Sequence, residues 1–337
     1  MLYNRRLKGS LVVEEIRSQV LQGNPLGDST LRQVPVYLPP GYHKRSRKFP
    51  VIYVLAGLFG SPEGWLDFRA FSENVFQLAD RLIAEGLPPF VLVCPDGFTR
   101  YGGSQYLNST GTGRYMDHII QELVPMIDES YSVDARREAR ALVGRSSGGF
   151  GALRLAMAHP DLFAHALSGS GDLYFRASCI GEIAQIPSLL KAAGGLEAFL
   201  AALPGLRRLD AQAATLLNVI ALSSCYSPDP EGPHGFRLPV DPESGELRPE
   251  VLDLWAAQDP AERLGEDGEA LRSLQTLYVE AGNRDEYHAD LGARVFAHRC
   301  RQAGIPVIHQ EYDGGHSGGG WRYEVMFRLL AERFAAL

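Results

Sequence analysis

The segment from 141 to 153 limits the possible folds of this chain more than any other stretch. It reads Ala-Leu-Val-Gly-Arg-Ser-Ser-Gly-Gly-Phe-Gly-Ala-Leu, which predicts a short buried strand, a Gly-x-Ser-x-Gly turn around Ser146, and then a helix. Gly144 and Gly148 flank Ser146 because a Cβ at either position would crowd so sharp a turn. The helix that begins at Ser147 points its free N–H groups and its positive dipole end toward any oxyanion near Ser146. The segment therefore predicts a nucleophilic serine.

A second Gly-x-Ser-x-Gly match surrounds Ser317. Where a strand–turn–helix serine is catalytic, an acid and then a histidine follow it along the chain. Neither His nor Asp follows Ser317, whereas several histidines and many carboxylates follow Ser146. We therefore predict that Ser146 is the nucleophile and that Ser317 neighbours the catalytic histidine.

Composition favours one large domain over 1–337. Hydrophobic residues make up 45% of the 337, enough for a substantial core, and the net charge of −7 comes with scattered Lys and Arg. This pattern predicts neither nucleic acid nor an anionic membrane as a partner, and no apolar run is long enough for a membrane span.

The four cysteines have no CxxC spacing, so we expect no zinc site, no other metal or cofactor, and free thiols. The first residues do not resemble a signal peptide, which favours a cytoplasmic protein.

Hydrophobic patterning predicts an α/β fold. From residue 49 onward, apolar runs typical of buried strands alternate with helical spacing, which indicates a mostly parallel sheet covered by helices on both faces. The expected strands are 11–21, 31–38, 49–56, 90–94, 140–143, 165–168, 276–281 and 307–312, and the expected helices are 74–85, 115–130, 147–159, 290–303 and 321–336.

The segment 172–270, called the inserted segment below, breaks this alternation. It begins with helix-like stretches, continues through a loop rich in Pro and Gly over 227–249, and ends in another short helix near 250–257. We interpret it as a largely helical cap over the carboxyl edge of the sheet, where ligand sites of α/β folds lie. The alternative is a peripheral helical decoration.

Two strand ends supply candidates for the other catalytic groups. The strand at 276–281 is followed by Asp285 and Glu286, and the strand at 307–312 by Asp313 and His316. A serine needs a base to take its proton, and the base needs an orienting carboxylate. His316 is the predicted base, because glycines surround it and it follows the last strand. The residues alone leave Asp285 and Glu286 open as the acid, and Asp313 is better explained as a turn residue.

Two backbone N–H groups are expected to bind the oxyanion. One belongs to Ser147, directly after the nucleophile, and the other to Leu58 in the loop after the strand at 49–56. Glycines in that loop let the backbone approach a substrate.

Together these residues resemble the esterase D-like family of α/β-hydrolases, which includes S-formylglutathione hydrolases, feruloyl esterases, enterochelin esterases and mycolyltransferases. The resemblance covers nearly the whole chain and is carried by 34–42, 53–57, 144–153, 282–286 and 314–317. It implies an α/β-hydrolase fold, with Ser146 as nucleophile, His316 as base, Leu58 and Ser147 as oxyanion hole, and Asp285 as the acid. The chain departs from the family at Ala56, where many relatives have His, at Arg145 before the nucleophile, and in the length of the inserted segment.

The resemblance implies a serine carboxylesterase for small or aromatic acyl esters, working through an acyl-enzyme. Acyl transfer and thioester hydrolysis use the same triad and stay open, as does a non-catalytic binding module on a hydrolase fold. Four aromatic residues near the site loops could line an apolar pocket or simply pack: Trp65, Tyr101, Tyr106 and Trp321. The expected partner is a small-molecule ester, and a homodimer is left open.

Overall fold

A computed structural model describes residues 7–42, 47–69 and 71–337 of the chain. Its centre is an eight-stranded sheet in the order β1-β2-β4-β3-β7-β8-β11-β12. The strands β1 and β2 form an antiparallel hairpin that pairs antiparallel with β4, and every pair from β4 to β12 is parallel. The mostly parallel sheet predicted from the sequence is confirmed. The sheet strands are β1 (Ser10–Arg17), β2 (Leu31–Leu38), β3 (Val51–Leu55), β4 (Val91–Val93), β7 (Arg140–Arg145), β8 (His165–Gly169), β11 (Thr276–Gly282) and β12 (Ile308–Tyr312).

Two short hairpins lie outside this sheet. They pair β5 (Asn108–Ser109) with β6 (Gly113–Arg114), and β9 (Pro228–Asp229) with β10 (Gly235–Phe236). The helices are α1 (Pro62–Trp65), α2 (Val75–Ala84), α3 (Tyr115–Asp117), α4 (Val124–Ser130), α5 (Ser147–Ala158), α6 (Phe175–Ser178), α7 (Ile180–Ile183), α8 (Ile186–Ala192), α9 (Leu196–Ala202), α10 (Ala211–Tyr226), α11 (Pro249–Ala256), α12 (Leu264–Arg272), α13 (Ala289–Gln302) and α14 (Tyr323–Phe334).

The sheet is buried on both faces, as the side chains of β3 show. Val51, Tyr53 and Leu55 enter the core shared with α4, α5 and α13, whereas Ile52 and Val54 enter the core shared with α2 and α14. Successive side chains of a strand point to opposite faces, so an uninterrupted apolar run is what a strand between two helical layers requires.

The helix predicted over 115–130 is interrupted. The structure has α3, a π-helix over His118–Leu123, and then α4, which begins at Val124. Pro125 has no backbone N–H and cannot continue the hydrogen-bond ladder of a straight α-helix, so the chain changes its pattern just before it.

The inserted segment has a core of its own. Buried apolar side chains from α6 to α11 pack together, with Trp255 and Tyr226 in edge-to-face contact at 5.5 Å between ring centroids. This core reaches the sheet domain through Phe150 of α5. The end of the segment differs, because Ala261 and Leu264 pack against the main core of the sheet. The part of the segment with a separate core thus precedes α12.

Across the described ranges, no single helix is long and apolar enough to cross a membrane; one bent pair, Phe175–Ala192 with Leu196–Gly205, passes on length and composition alone. Cys94, Cys179, Cys225 and Cys300 are all buried free thiols.

Candidate active site

Ser146 lies at the tip of the turn between β7 and α5, with φ 54° and ψ −129°. A residue other than glycine rarely adopts positive φ, and holding it there costs on the order of 1–3 kcal/mol. Its backbone N–H donates to the carbonyl of Gly169 at 2.9 Å, which ties the turn to the end of β8. The strained backbone presents the serine at the carboxyl edge of the sheet, as the motif predicts.

The flanking glycines of this turn are required by steric crowding. A Cβ on Gly144 would collide with the backbone of Gly148, and a Cβ on Gly148 would collide with the carbonyl of Leu55 on β3. Helix α5 therefore starts in direct backbone contact with the two central strands. Any side chain at either position would push the serine away from the sheet edge.

His316 and Asp285 meet above the neighbouring strands β12 and β11. The Nδ1 atom of His316 lies 2.9 Å and 3.1 Å from the two carboxylate oxygens of Asp285. Burial alone would raise the pKa of Asp285, but hydrogen bonds from His316 and from the backbone N–H groups of Tyr287 and Ala289 outweigh it and hold the pKa below its usual range. The carboxylate is thus kept ionised against the imidazole.

Glu286, the other candidate acid, has a different contact. Its carboxylate accepts a hydrogen bond from the backbone N–H of His316 at 2.6 Å. The two adjacent carboxylates therefore bind the same histidine, Asp285 through the ring and Glu286 through the backbone. Asp313 pairs with the exposed guanidinium of Arg284, away from the imidazole.

The two predicted oxyanion residues, Leu58 and Ser147, line the same cavity as Ser146. The loop of Leu58 is held close to the serine by Gly57, where an added Cβ would lie 3.3 Å from the Cβ of Ser146. The next residue, Phe59, has φ 66°, and its N–H donates to the carbonyl of Gly102 at 2.9 Å. The loop is thus fixed by backbone contacts.

A cavity of about 160 Å³ contains these groups. It is lined by Leu58, Phe59, Ser146, Ser147, Asp172, Cys179, Glu182, Ala214, Asn218, Leu222, Tyr287, His316 and Ser317. Four of these residues are predicted from the sequence as site residues, Leu58, Ser146, Ser147 and His316, and Ser317 is predicted as their neighbour. The four aromatic candidates are not in this wall. Tyr106, for example, is buried and donates its hydroxyl to the carbonyl of Ala56 at 2.9 Å.

Two further carboxyl groups in the cavity wall were missed by the sequence analysis. Asp172 follows β8 at the same sheet edge as Ser146, and Glu182 comes from α7 of the inserted segment. Burial raises the pKa of Asp172, and burial together with the charge of Asp172 raises the pKa of Glu182 to about 7. In the sequence, Asp172 is marked by its place shortly after a predicted parallel strand. No local sequence pattern marks Glu182.

Arg145 passes behind the serine turn instead of entering the cavity. One guanidinium nitrogen, Nη2, donates to the hydroxyl of Tyr312 at 3.0 Å and to the carbonyl of His316 at 3.4 Å. The other, Nη1, lies 3.6 Å from the buried carboxylate of Glu280. Gly319 leaves room for the guanidinium, since a Cβ there would collide with it. The residue before the nucleophile thereby connects β7 to the loop that carries His316.

Within the described ranges there is no group of three or more His, Cys, Asp or Glu side chains arranged to hold a metal ion. The groups that converge on Ser146 are those of nucleophilic and acid–base chemistry.

The family described as "Putative esterase" matches residues 29–330. The chain belongs to this family. Among curated proteins, the esterase Rv1288 of Mycobacterium tuberculosis is 34% identical over 144 residues, which is 42% of this chain and 30% of that protein. The protein YbbA of Bacillus subtilis is 26% identical over 152 residues, 43% of this chain and 58% of that protein. The alignments thus span less than two thirds of these relatives.

Solved structures show the fold. A ferulic acid esterase aligns with TM-score 0.60 and 20% identity over 98% of this chain and 99% of its own. An S-formylglutathione hydrolase from Agrobacterium tumefaciens aligns with TM-score 0.60 and 16% identity over 98% of both chains. The enterobactin esterase FES from Shigella flexneri has TM-score 0.53 and 18% identity, with 96% of this chain and 60% of its own covered. The predicted α/β-hydrolase fold and family membership are confirmed.

The crowding at the serine turn generates a stability prediction. Replacing Gly144 with Ala forces a methyl group into the backbone of α5 and is expected to lower the free energy of unfolding by about 1–3 kcal/mol. Gly181→Ala is the matched control, since its Cβ meets nothing within 4 Å and Gly181 lies in a helix. It is expected to leave stability unchanged or raise it by up to about 1 kcal/mol. Urea denaturation of the two variants measures the difference, and equal effects would contradict the steric account.

Proposed function

We propose that this protein hydrolyses carboxylic esters through a Ser146–His316–Asp285 triad and an acyl-enzyme intermediate. One observation carries the proposal: the strained serine and the histidine held by Asp285 share the wall of one cavity. A nucleophile, a base and an orienting carboxylate at one edge of a sheet are the parts that acyl transfer to serine requires. Family membership and the esterases among the relatives support the same reaction.

In the first half-reaction, the Oγ of Ser146 attacks the ester carbonyl while the Nε2 of His316 takes its proton. Asp285 accepts the hydrogen bond from Nδ1, keeps the ring in the required tautomer and stabilises the imidazolium. The oxyanion is bound by the backbone N–H groups of Leu58 and Ser147 near the amino end of α5. His316 then returns the proton to the leaving alcohol.

In the second half-reaction, His316 takes a proton from water, and the resulting hydroxide attacks the acyl carbon. The same oxyanion hole binds the second tetrahedral intermediate, which breaks down to release the acid and restore Ser146. No metal or cofactor enters either step. The proposed substrates are esters of small or aromatic acyl groups, and the cavity volume of about 160 Å³ supports the small ones.

The nucleophile assignment predicts the behaviour of two serine variants. Ser146→Ala is expected to lose on the order of 10⁴–10⁶ in kcat, because residues of such a triad act as a unit. Ser317→Ala, the serine of the second Gly-x-Ser-x-Gly match, is expected to retain most of its activity. Hydrolysis of p-nitrophenyl esters from acetate to decanoate measures both, with circular dichroism to confirm folding.

Two outcomes of this experiment contradict the proposal. Turnover retained in Ser146→Ala would place the nucleophile elsewhere. A folded wild-type protein that turns over no ester of the series would leave the binding-module interpretation in its place.

Arg145 is expected to position His316. Arg145→Met removes the hydrogen bonds to Tyr312 and to the carbonyl of His316, and a histidine misplaced by about 1 Å costs up to about 10²-fold in rate. We expect kcat to fall by about 10- to 100-fold with KM nearly unchanged, and Arg145→Lys to restore part of the loss. Arg136→Met, at an exposed arginine, is the control. A change in KM alone, or no rescue by lysine, would contradict a positioning role.

A further inference from the structure

The cavity wall contains two carboxyl groups that the proposed reaction does not use, Asp172 and Glu182. Ser146 and His316 identify this cavity as the proposed substrate site, and that assignment does not depend on the two carboxyls. Asp172 lies in the loop after β8, at the start of the inserted segment, and Glu182 lies ten residues later in α7. The chain between them folds so that both side chains line the cavity wall beside Ser146.

Neither carboxyl is paired with a lysine or arginine; the basic side chain that acts on both is His316 in the same cavity wall, whose charge lowers the pKa of each. Among the ion pairs of the described residues, no Lys or Arg lies within 4.0 Å of Asp172 or Glu182, and none lines the cavity. Glu182 accepts a hydrogen bond from the amide of Asn218 at 2.6 Å, and Asp172 accepts one from Ser178. Neutral donors from α10 and α6 thus fix both groups without supplying a positive charge.

This arrangement is costly for the free protein. Carboxylates taken out of water are normally paired with a cation, and where none is present their pKa values rise, as they do here. A cation that enters the cavity would recover the missing interaction, whereas an anion would add repulsion from both groups. A wall of this kind would therefore discriminate between ligands by charge.

We propose that Asp172 and Glu182 select esters that carry an ammonium group close to the scissile carbonyl, and that they reject anionic esters. The inference rests on the proposed function, because it assigns the selectivity of the same cavity. The inference also bears on glutathione thioesters. Such a thioester carries two carboxylates and one ammonium group, and is expected to be a poor substrate here.

The test compares esters of nearly equal shape and different charge. On the acyl side, ethyl 3-aminopropanoate is measured against ethyl butanoate and monoethyl succinate. On the alcohol side, acetylcholine is measured against its neutral isostere, 3,3-dimethylbutyl acetate. Acid release is followed in a pH-stat at pH 8, where Glu182, with its pKa of about 7, is ionised. The quantity of interest is the ratio of kcat/KM for the cationic ester to that for its neutral partner.

In at least one pair, the wild-type ratio is expected to be about 10 or more; this is the size of one charge-assisted hydrogen bond for the protonated amine, whereas the quaternary ammonium of acetylcholine has no N–H and gains charge attraction alone. Glu182→Gln and Asp172→Asn keep the shape and the accepting oxygen, so both should fold, and both are expected to bring this ratio close to one. Glu197→Gln, at an exposed glutamate of α9 in the same segment, is the control and should keep the wild-type ratio.

Three outcomes overturn the inference: a wild-type ratio near one, a preference for the anionic ester, or variants that lose cationic and neutral esters equally. The last result would mean that the carboxyls act on His316 instead of on the substrate. Failure of the proposed function looks different, because wild type would then hydrolyse no ester of either series and Ser146→Ala would behave as wild type does.

Discussion

The backbone contact between the start of α5 and the two central strands is the constraint on which the rest of the site depends. Gly148 packs against the carbonyl of Leu55, and Gly144 packs against Gly148, so helix and sheet touch with no side chain between them. This contact holds Ser146 at φ 54° and places the amino end of α5 beneath the cavity. The strain is local, and the close-packed sheet on either side of β7 holds the turn in place.

Around this fixed serine, each further group comes from the end of another parallel strand of the same sheet. Asp285 follows β11 and His316 follows β12, while Leu58 follows β3 on the other side of β7. Hydrogen bonds to the backbone hold these loops in place. In the histidine loop, the carboxylate of Glu286 accepts one from the N–H of His316. Arg145 adds a connection from β7 to the histidine loop. The candidate triad is therefore carried by loops at strand ends, and the inserted segment places Glu182 and Asn218 in the same cavity wall.

The sequence predicted much of this architecture because its signals are local. Apolar runs bounded by Gly and Pro gave the parallel strands, and the Gly-x-Ser-x-Gly turn gave the place of Ser146. The contacts that needed the structure are non-local. Asp285 and Glu286 are adjacent, and only the direction in which each side chain leaves the loop after β11 decides which one meets the imidazole. Glu182 lies in a short helix with no motif, and its neighbour Asn218 is 36 residues away along the chain. Pro125 marks the interruption of the helix over 115–130, but the prediction there followed the helical spacing of the apolar residues alone.

The most direct test of the central claim, that Ser146 is an activated nucleophile, is covalent labelling. The wild-type protein is treated with a fluorophosphonate, digested, and its modified peptide is identified by mass spectrometry. The account predicts one adduct per chain, on Ser146, with labelling greatly slowed in His316→Ala. An adduct on Ser317 or on another residue, or no adduct on the folded protein, would contradict it.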